Sequence, residues 1–404
     1  MLASGVDLTF ANRHVRAAPP HPNPYPYYGR LAREQPVFRD EVNGWWVVAS
    51  AAAVNEVLTS EQCLTRPPGD PVPTAIRAGP MAEIFGRLVR IRNDEARDRL
   101  KIAVETAMRG LDLGTVADLA RARAAELDAE LGLPLDENKT TQFMFALPVQ
   151  VTAQLLGIPR QRYRDIMSWL GDYGVATASA GTGIPAPEAA LFARGNHAAQ
   201  ALIDLVGALK NNPGARGLLL DALAQEARRA GCDDDADITA NAIGYLLQGY
   251  AATASLIGLT LLALARRPSL RAQVEADRGL LREVIQEVLR CDPTTNSTLR
   301  FMARDGVIAG QDMRQGDMII VLIAAANRDG ALNGEPDRFD ISRKDRKYLE
   351  FGAGAHACPA DKFAPLIAMI AVDHLLTRGI PFEQLESSLS YAASGHIRTP
   401  LFRR

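Results

Sequence analysis

Apolar and polar positions alternate at helical spacing through the middle of this chain and at strand spacing only towards its ends. From Asn93 to about Ala276 the pattern predicts helices, interrupted by GVATASAGTGIPAPEA at 174–189 and by NNPGARG at 211–217. One stretch stands apart: DDDADITANAIGYLLQGYAATASLIGLTLLALARRP. Acidic residues open it and Arg266, Arg267 and Pro268 close it, which suits the helix dipole and a proline stop. Roughly 30 residues at ~1.5 Å each span about 45 Å, enough to cross a domain. Apolar nearly all round from Ile243 to Leu264, it predicts a central helix buried on every side. LLREVIQEVLR predicts a second helix after it, followed by short strands and turns over 300–329. Near the start, Tyr27 to Glu34 reads as helix and GWWVVAS as a strand of bulky residues. Between Leu64 and Gly79 lie four prolines and two glycines, which predicts a long surface loop of the kind that borders pockets.

Composition narrows the function classes. With 45 Lys plus Arg against 47 Asp plus Glu, the net charge of −2 excludes a bulk basic field for nucleic acid. The longest clean apolar run, Met318 to Ala326, is nine residues, against the roughly 20 of a membrane span. The first twenty residues lack the continuous apolar core of a signal peptide, so the expected location is the cytoplasm. Cysteines at 63, 232, 291 and 358 form no CxxC pair, which fits a reducing compartment and excludes a zinc ribbon.

Candidate chemistry concentrates in FGAGAHACPA, residues 351–360. Glycines at 352 and 354 give the backbone freedom to wrap a bulky flat group. Exposed N–H groups and a helix beginning near Asp361 lower the pKa of a Cys358 thiol and favour metal ligation. The competing reading makes Cys358 a buried apolar side chain at a turn of small residues. Upstream, Glu287 and Arg290 stand three apart on one helix face, a spacing also common in surface pairs.

The ordered set Glu287-Val288-Leu289-Arg290, Arg300, Asn327-Arg328-Asp329, Pro336-Asp337-Arg338-Phe339 and FGAGAHAC resembles a soluble bacterial cytochrome P450, from NPYPYYGRLAREQPV to the C-terminus. The resemblance implies a mainly α fold with small β-sheets and one domain over 1–404. A β-rich lobe would take about 20–65 and 295–404, and a helical lobe about 90–290. Haem b would lie between the central helix and the cysteine loop, with Cys358 as proximal ligand to its iron. Phe351 would shield the sulfur, with Gly352 beside it. Arg300 and His356 would bind propionates, as would Arg97 and Lys101, which stand where the family has HxxxR. Arg338 would join Glu287 and Arg290 as a third, buried partner. Pocket walls would include the loop 67–84, Ile243, Leu247 and the segment 294–299, where Thr295, Asn296 and Thr298 offer polar groups.

The resemblance also exposes a departure. Matching Gly249 to the family's helix glycine puts Ala251 and Ala252 where an acid and an alcohol are expected, leaving Gln248 and Thr253 as the nearest polar side chains. Tyr348 and Ala360 replace a His and a Gly of the family pattern. The implied function is oxidation of a small or medium hydrophobic substrate by a monomeric monooxygenase of specialised metabolism with an atypical proton relay. Electrons would come from a separate ferredoxin and its reductase, docking on a basic patch of Arg97, Arg99, Lys101 and Lys362. Rival readings are an atypical haem-thiolate enzyme (oxidative coupling, peroxygenase-like, isomerase or dehydratase), a haem-binding protein without turnover, and a hydrolase with a Cys358 nucleophile.

Overall fold

A computed structural model describes residues 15–132, 135–180, 189–232 and 234–403. The chain enters with α1 (Tyr25–Glu34), the hairpin β1 (Val37–Asp40) and β2 (Trp45–Val48), α2 (Ala51–Thr59) and the short β3 (Cys63–Leu64). Helices then follow one another: α3 (Pro80–Arg87), α4 (Glu95–Arg109), α5 (Leu113–Leu131), α6 (Glu137–Leu156), α7 (Tyr163–Ala180), α8 (Ala189–Lys210) and α9 (Leu218–Arg229). After them come α10 (Asp235–Ala265), α11 (Pro268–Ala276) and α12 (Leu281–Cys291). Strands return as β4 (Thr298–Met302), the hairpin β5 (Gly306–Ile308) and β6 (Gln311–Met313), and β7 (Met318–Val321). The last elements are α13 (Ile323–Asn327), α14 (Phe363–Arg378), α15 (Phe382–Ser387), β8 (Leu389–Tyr391) and β9 (Pro400–Phe402).

Local signals account for several boundaries. Asp94, Asp112 and Asp136 cap α4, α5 and α6 by accepting from backbone N–H groups three residues on. The bulky GWWVVAS strand is β2, inside a five-stranded sheet of order β1-β2-β7-β4-β3. It pairs antiparallel with β1 and parallel with β7, in a register that sets Trp46 against Ile319 and Val48 against Val321. This sheet carries Arg300 on its β4 strand. The break expected at 174–189 begins later, because Gly174 to Ala180 continue α7 with Tyr173 and Ala176 buried; 181–188 lie outside the described residues, as do the first fourteen.

The central helix α10 runs for 31 residues and packs against α3, α6, α8, α14 and α15. Its length and a mean hydropathy of 1.5 in its most apolar window suit a membrane span, which the apolar-run criterion overlooked, but 67% of that window is buried within the protein. Burial is not continuous, however. Asp237 to Leu246 and Thr253 to Leu264 are enclosed, whereas Leu247 to Ala252 are not. An apolar helix opens to solvent-sized space over six consecutive residues only where its neighbours stand back.

Candidate functional site

The Cys358 loop is held from three directions. Within it, Cys358 N–H donates to Phe351 O at 2.8 Å and Ala357 N–H to Gly354 O at 3.0 Å. Gly352 and Gly354 both sit at positive φ, 68° and 65°, where a side chain is strained. A Cβ at Gly354 would come within 2.9 Å of Leu58 O, so this glycine also lets the loop lie on the end of α2. From α4, Arg97 donates to Ala355 O and Lys101 Nζ to Ala357 O at 2.7 Å. The Phe351 ring packs edge-on to Tyr348 at 6.4 Å and against the main core.

Cys358 is half-buried, and burial raises its thiol pKa, with the Ala360 N–H and the Lys101 charge pulling the other way. The lowering expected from the loop's N–H groups is thus outweighed by desolvation, and α14 begins only at Phe363.

Around this loop positive groups gather, and among the described residues no acid from another element pairs with them. Arg97 and Arg300 are buried, each with a side-chain Nε that has no partner. Arg300 otherwise bonds only Leu299 O and, at 3.5 Å, Thr298 Oγ1, and burial lowers its pKa to about 10. The His356 pKa falls to about 3 through burial and then the charges of Arg97, Arg300 and Lys101, so the imidazole is neutral. The carboxylates paired with Arg97 and Lys101, Asp98 and Glu105, are neighbours on their own helix. Such a cluster suits a dianionic group entering beside the loop, as haem propionates would. Arg97, Lys101, Arg300, His356 and Cys358 are therefore brought together.

The Glu287–Arg290 pair is fully buried, with bonds of 2.7 and 3.1 Å. Arg290 also donates to the carbonyls of Pro336 and Arg338 at 2.8 Å each, and Asp340 N–H donates to Glu287 at 2.9 Å. The third guanidinium is Arg346 rather than Arg338. Arg346 lies 2.8 Å from Glu287 with its side chain 5% exposed, and also bonds Glu283 and Gln286. The Arg338 side chain is 62% exposed and reaches only Glu335 and Asp340. Its part in the network is its carbonyl. Arg346 lies in an irregular stretch without periodicity, so only its charge marked it in the sequence.

On α10, Gln248, Gly249, Ala251 and Ala252 line the open six-residue window, with Leu247 and Tyr250. Gln248 Nε2 donates back to Gly244 O at 3.1 Å, and Thr253 is buried. Ile243 is wholly enclosed, so it belongs to the core rather than the pocket wall. The polar strip at 294–298 is likewise structural. Asn296 is enclosed, receives the Tyr28 hydroxyl at 3.1 Å and donates to Pro293 O. Thr294 and Thr295 turn to Glu350, and Thr298 lies against Arg300. Of the expected basic patch, Arg97 and Lys101 are turned into the loop, leaving Arg99 and Lys362 exposed.

A family model described as Cytochrome P450 matches residues 210–378. Vitamin D(3) 25-hydroxylase of Pseudonocardia autotrophica is 27% identical over 380 residues, 87% of this chain and 85% of that protein. The structure of CalO2 superposes with a TM-score of 0.77 at 26% identity, covering 94% of this chain and 96% of that one. P450BioI, in complex with hexadec-9Z-enoic acid ligated acyl carrier protein, gives a TM-score of 0.78 at 21% identity, covering 94% and 99%.

Proposed function

Because this chain belongs to the cytochrome P450 family, whose members are haem b monooxygenases, we propose that Cys358 is the proximal ligand of its haem and that an apolar substrate sits over Leu247 to Ala252. The observation that carries this reading is the cluster of Arg97, Lys101, Arg300 and His356 beside the Cys358 loop. Haem, when bound through a thiolate, supplies electron-rich iron that favours cleavage of the O–O bond. The protein's own share is positional. Its loop carbonyls bind Arg97 and Lys101, the Ala360 N–H favours the thiolate form of Cys358, and Phe351 with Tyr348 keeps water from the sulfur.

On the opposite face the protein supplies little. Ala251 and Ala252 carry no transferable side-chain proton, and one of the two Gln248 amide N–H groups is committed to Gly244 O, while neither is acidic. We assign the proton relay to a hydroxyl, carboxyl or amine of the substrate, or else to an atypical oxidation, such as oxidative coupling, that needs the relay less. The enzyme acts as one domain and one monomer, in the cytoplasm, within specialised metabolism by analogy. Its electrons come from a ferredoxin and ferredoxin reductase docking near Arg99 and Lys362.

Two measurements test the proposal. The reduced, carbon monoxide-bound protein should show the red-shifted Soret band of thiolate-bound haem, and Cys358→Ala should lose it; a variant that keeps the band removes Cys358 as ligand. Product formed against peroxide released should stay tightly matched with the native substrate and drift apart with an analogue stripped of its polar group. A large gain in matching from Ala252→Thr would instead mark the alanine as a defect.

A further inference from the structure

We propose that Arg90 and Tyr173 form an anchor for an acidic group in the space above Leu247 to Ala252, so that the apolar substrate carries one anionic head, a carboxylate in the first instance. The location rests on the monooxygenase reading; the anchor itself rests on how Arg90 is held and left unpaired.

Three arginines fall within six residues here, and only the middle one has no partner. Arg87 pairs with Asp234 and Asp237 at 2.9 and 2.8 Å, and Arg92 with Asp94 and Asp237 at 2.7 Å each. Arg90 makes no hydrogen bond or ion pair among the described residues. Its backbone is nonetheless fixed. Val89 N–H donates to Asn241 Oδ1 at 2.9 Å, Asn241 returns a bond to Arg87 O at 3.0 Å, and Leu88 lies so close to Gly244 that a Cβ there would meet it at 2.8 Å. The segment therefore crosses α10 just ahead of the open window.

Arg90 shows ample accessible surface, yet its desolvation is that of a group enclosed by protein, and this lowers its pKa. Both hold together when the surface it shows is an inner wall. Tyr173 on α7 stands near enough to Arg90 for each to shift the other's titration; burial keeps it a neutral phenol, and its hydroxyl has no partner among the described residues. Two residues before Tyr173, a Cβ at Gly171 would lie 3.9 Å from the hydroxyl of Tyr250, so α7 reaches the same window of α10. A second guanidinium, Arg66, is near enough for Arg90 to depress its pKa; it is held by Pro71 O at 2.9 Å and by the rings of Phe85 and Phe301. Arg90 is not among the charges that depress His356 or Arg300, which separates it from the cluster beside the Cys358 loop.

A desolvated guanidinium with no counter-charge is costly to keep. Its planar fork matches a carboxylate in two parallel bonds, and a phenol O–H adds a third donor. The leucine and alanines of the window supply the apolar surface for the rest of the molecule.

The test uses the purified full chain, with decanoate, decyl phosphate and decan-1-ol titrated calorimetrically at neutral pH. Decanoate should bind about tenfold more tightly than decan-1-ol. Arg90→Gln should erase that preference without changing decan-1-ol affinity, and Tyr173→Phe should weaken decanoate by roughly threefold. Since Arg90 has no partner to lose, Arg90→Gln should retain the wild-type melting temperature, and Arg90→Lys should keep part of the preference. Tighter binding of decyl phosphate, also lost in Arg90→Gln, would support the anchor with phosphate as the head group. Equal affinity for acid and alcohol in the wild type, or a preference that survives Arg90→Gln, overturns it. Calorimetry needs no haem signal, so the carbon monoxide band judges the monooxygenase reading separately.

Discussion

Glu287 and Arg90 are both charged and both lose stabilisation by water, yet Glu287, fully buried, takes donors from Arg290, Arg346 and the Asp340 backbone, whereas Arg90, with surface still accessible, meets no partner among the described residues. The region behind the Cys358 loop answers the Glu287 carboxylate from several sides, with the Arg343 Nε, 3.9 Å away, left without a hydrogen bond. The region over the α10 window leaves a guanidinium and a buried phenol without partners among the described residues. In a folded protein a charge left open at such cost marks a place where something else completes the pairing.

The most severe way to break this comparison is to open the saturated side. Glu287→Ala leaves Arg290 and Arg346 buried without their shared acid, an expected loss of roughly 3–5 kcal/mol, seen as a fall in melting temperature and in haem retained on purification. A stable variant with full haem would show the network to be dispensable. Next in size, Arg346→Ala should cost about 2–3 kcal/mol, while Arg338→Ala, at an exposed side chain, should stay within about 0.5 kcal/mol in denaturant titrations. The reverse order would return Arg338 to the network.

Glu350 sharpens the contrast because it is buried, held by Thr294 and Thr295, but has no cation paired with it among the described residues. Burial raises its pKa to about 7, against the hydrogen bonds that lower it. The native state then binds a proton that the unfolded state gives up near the usual carboxylate pKa. This contribution is complete below about pH 4.5 and is lost as pH rises towards 7. Glu350→Gln should remove that slope from the stability–pH curve, and identical slopes in both proteins would place the ionisation elsewhere. The smallest effect concerns donor docking: Arg99→Ala with Lys362→Ala should slow ferredoxin-driven reduction a few-fold at low salt and little at high salt. A salt-independent change would argue against docking there.

What the sequence discloses depends on the range over which each feature is encoded. Cys358, Glu287 and Arg290 stand in short motifs whose spacing survives in the fold, and α10 announces itself by length and apolarity. Arg346 is invisible by such means, since it reaches Glu287 from 59 residues away along irregular chain. The strip at 294–298 misleads for a related reason. Its hydroxyls and amide look available in sequence, and only tertiary packing supplies Tyr28 and Glu350 to engage them. Arg90 likewise looks like one of several scattered charges until Asp237 is seen to serve Arg87 and Arg92 and to leave it out.

The parallel pairing of β2 with β7 has a bearing on how the protein is made. Val48 must wait for Val321, about 270 residues later, and Arg300 sits in the strand between β7 and β3. At ~5–20 residues per second, a ribosome needs roughly 14–55 s between the two. Through that interval β2, paired only with β1, presents an open edge of bulky side chains. Arg300 joins the haem-side cations only when the sheet closes, and His356 and Cys358 are made later still, so nascent chains short of β7 should neither retain haem nor escape chaperones.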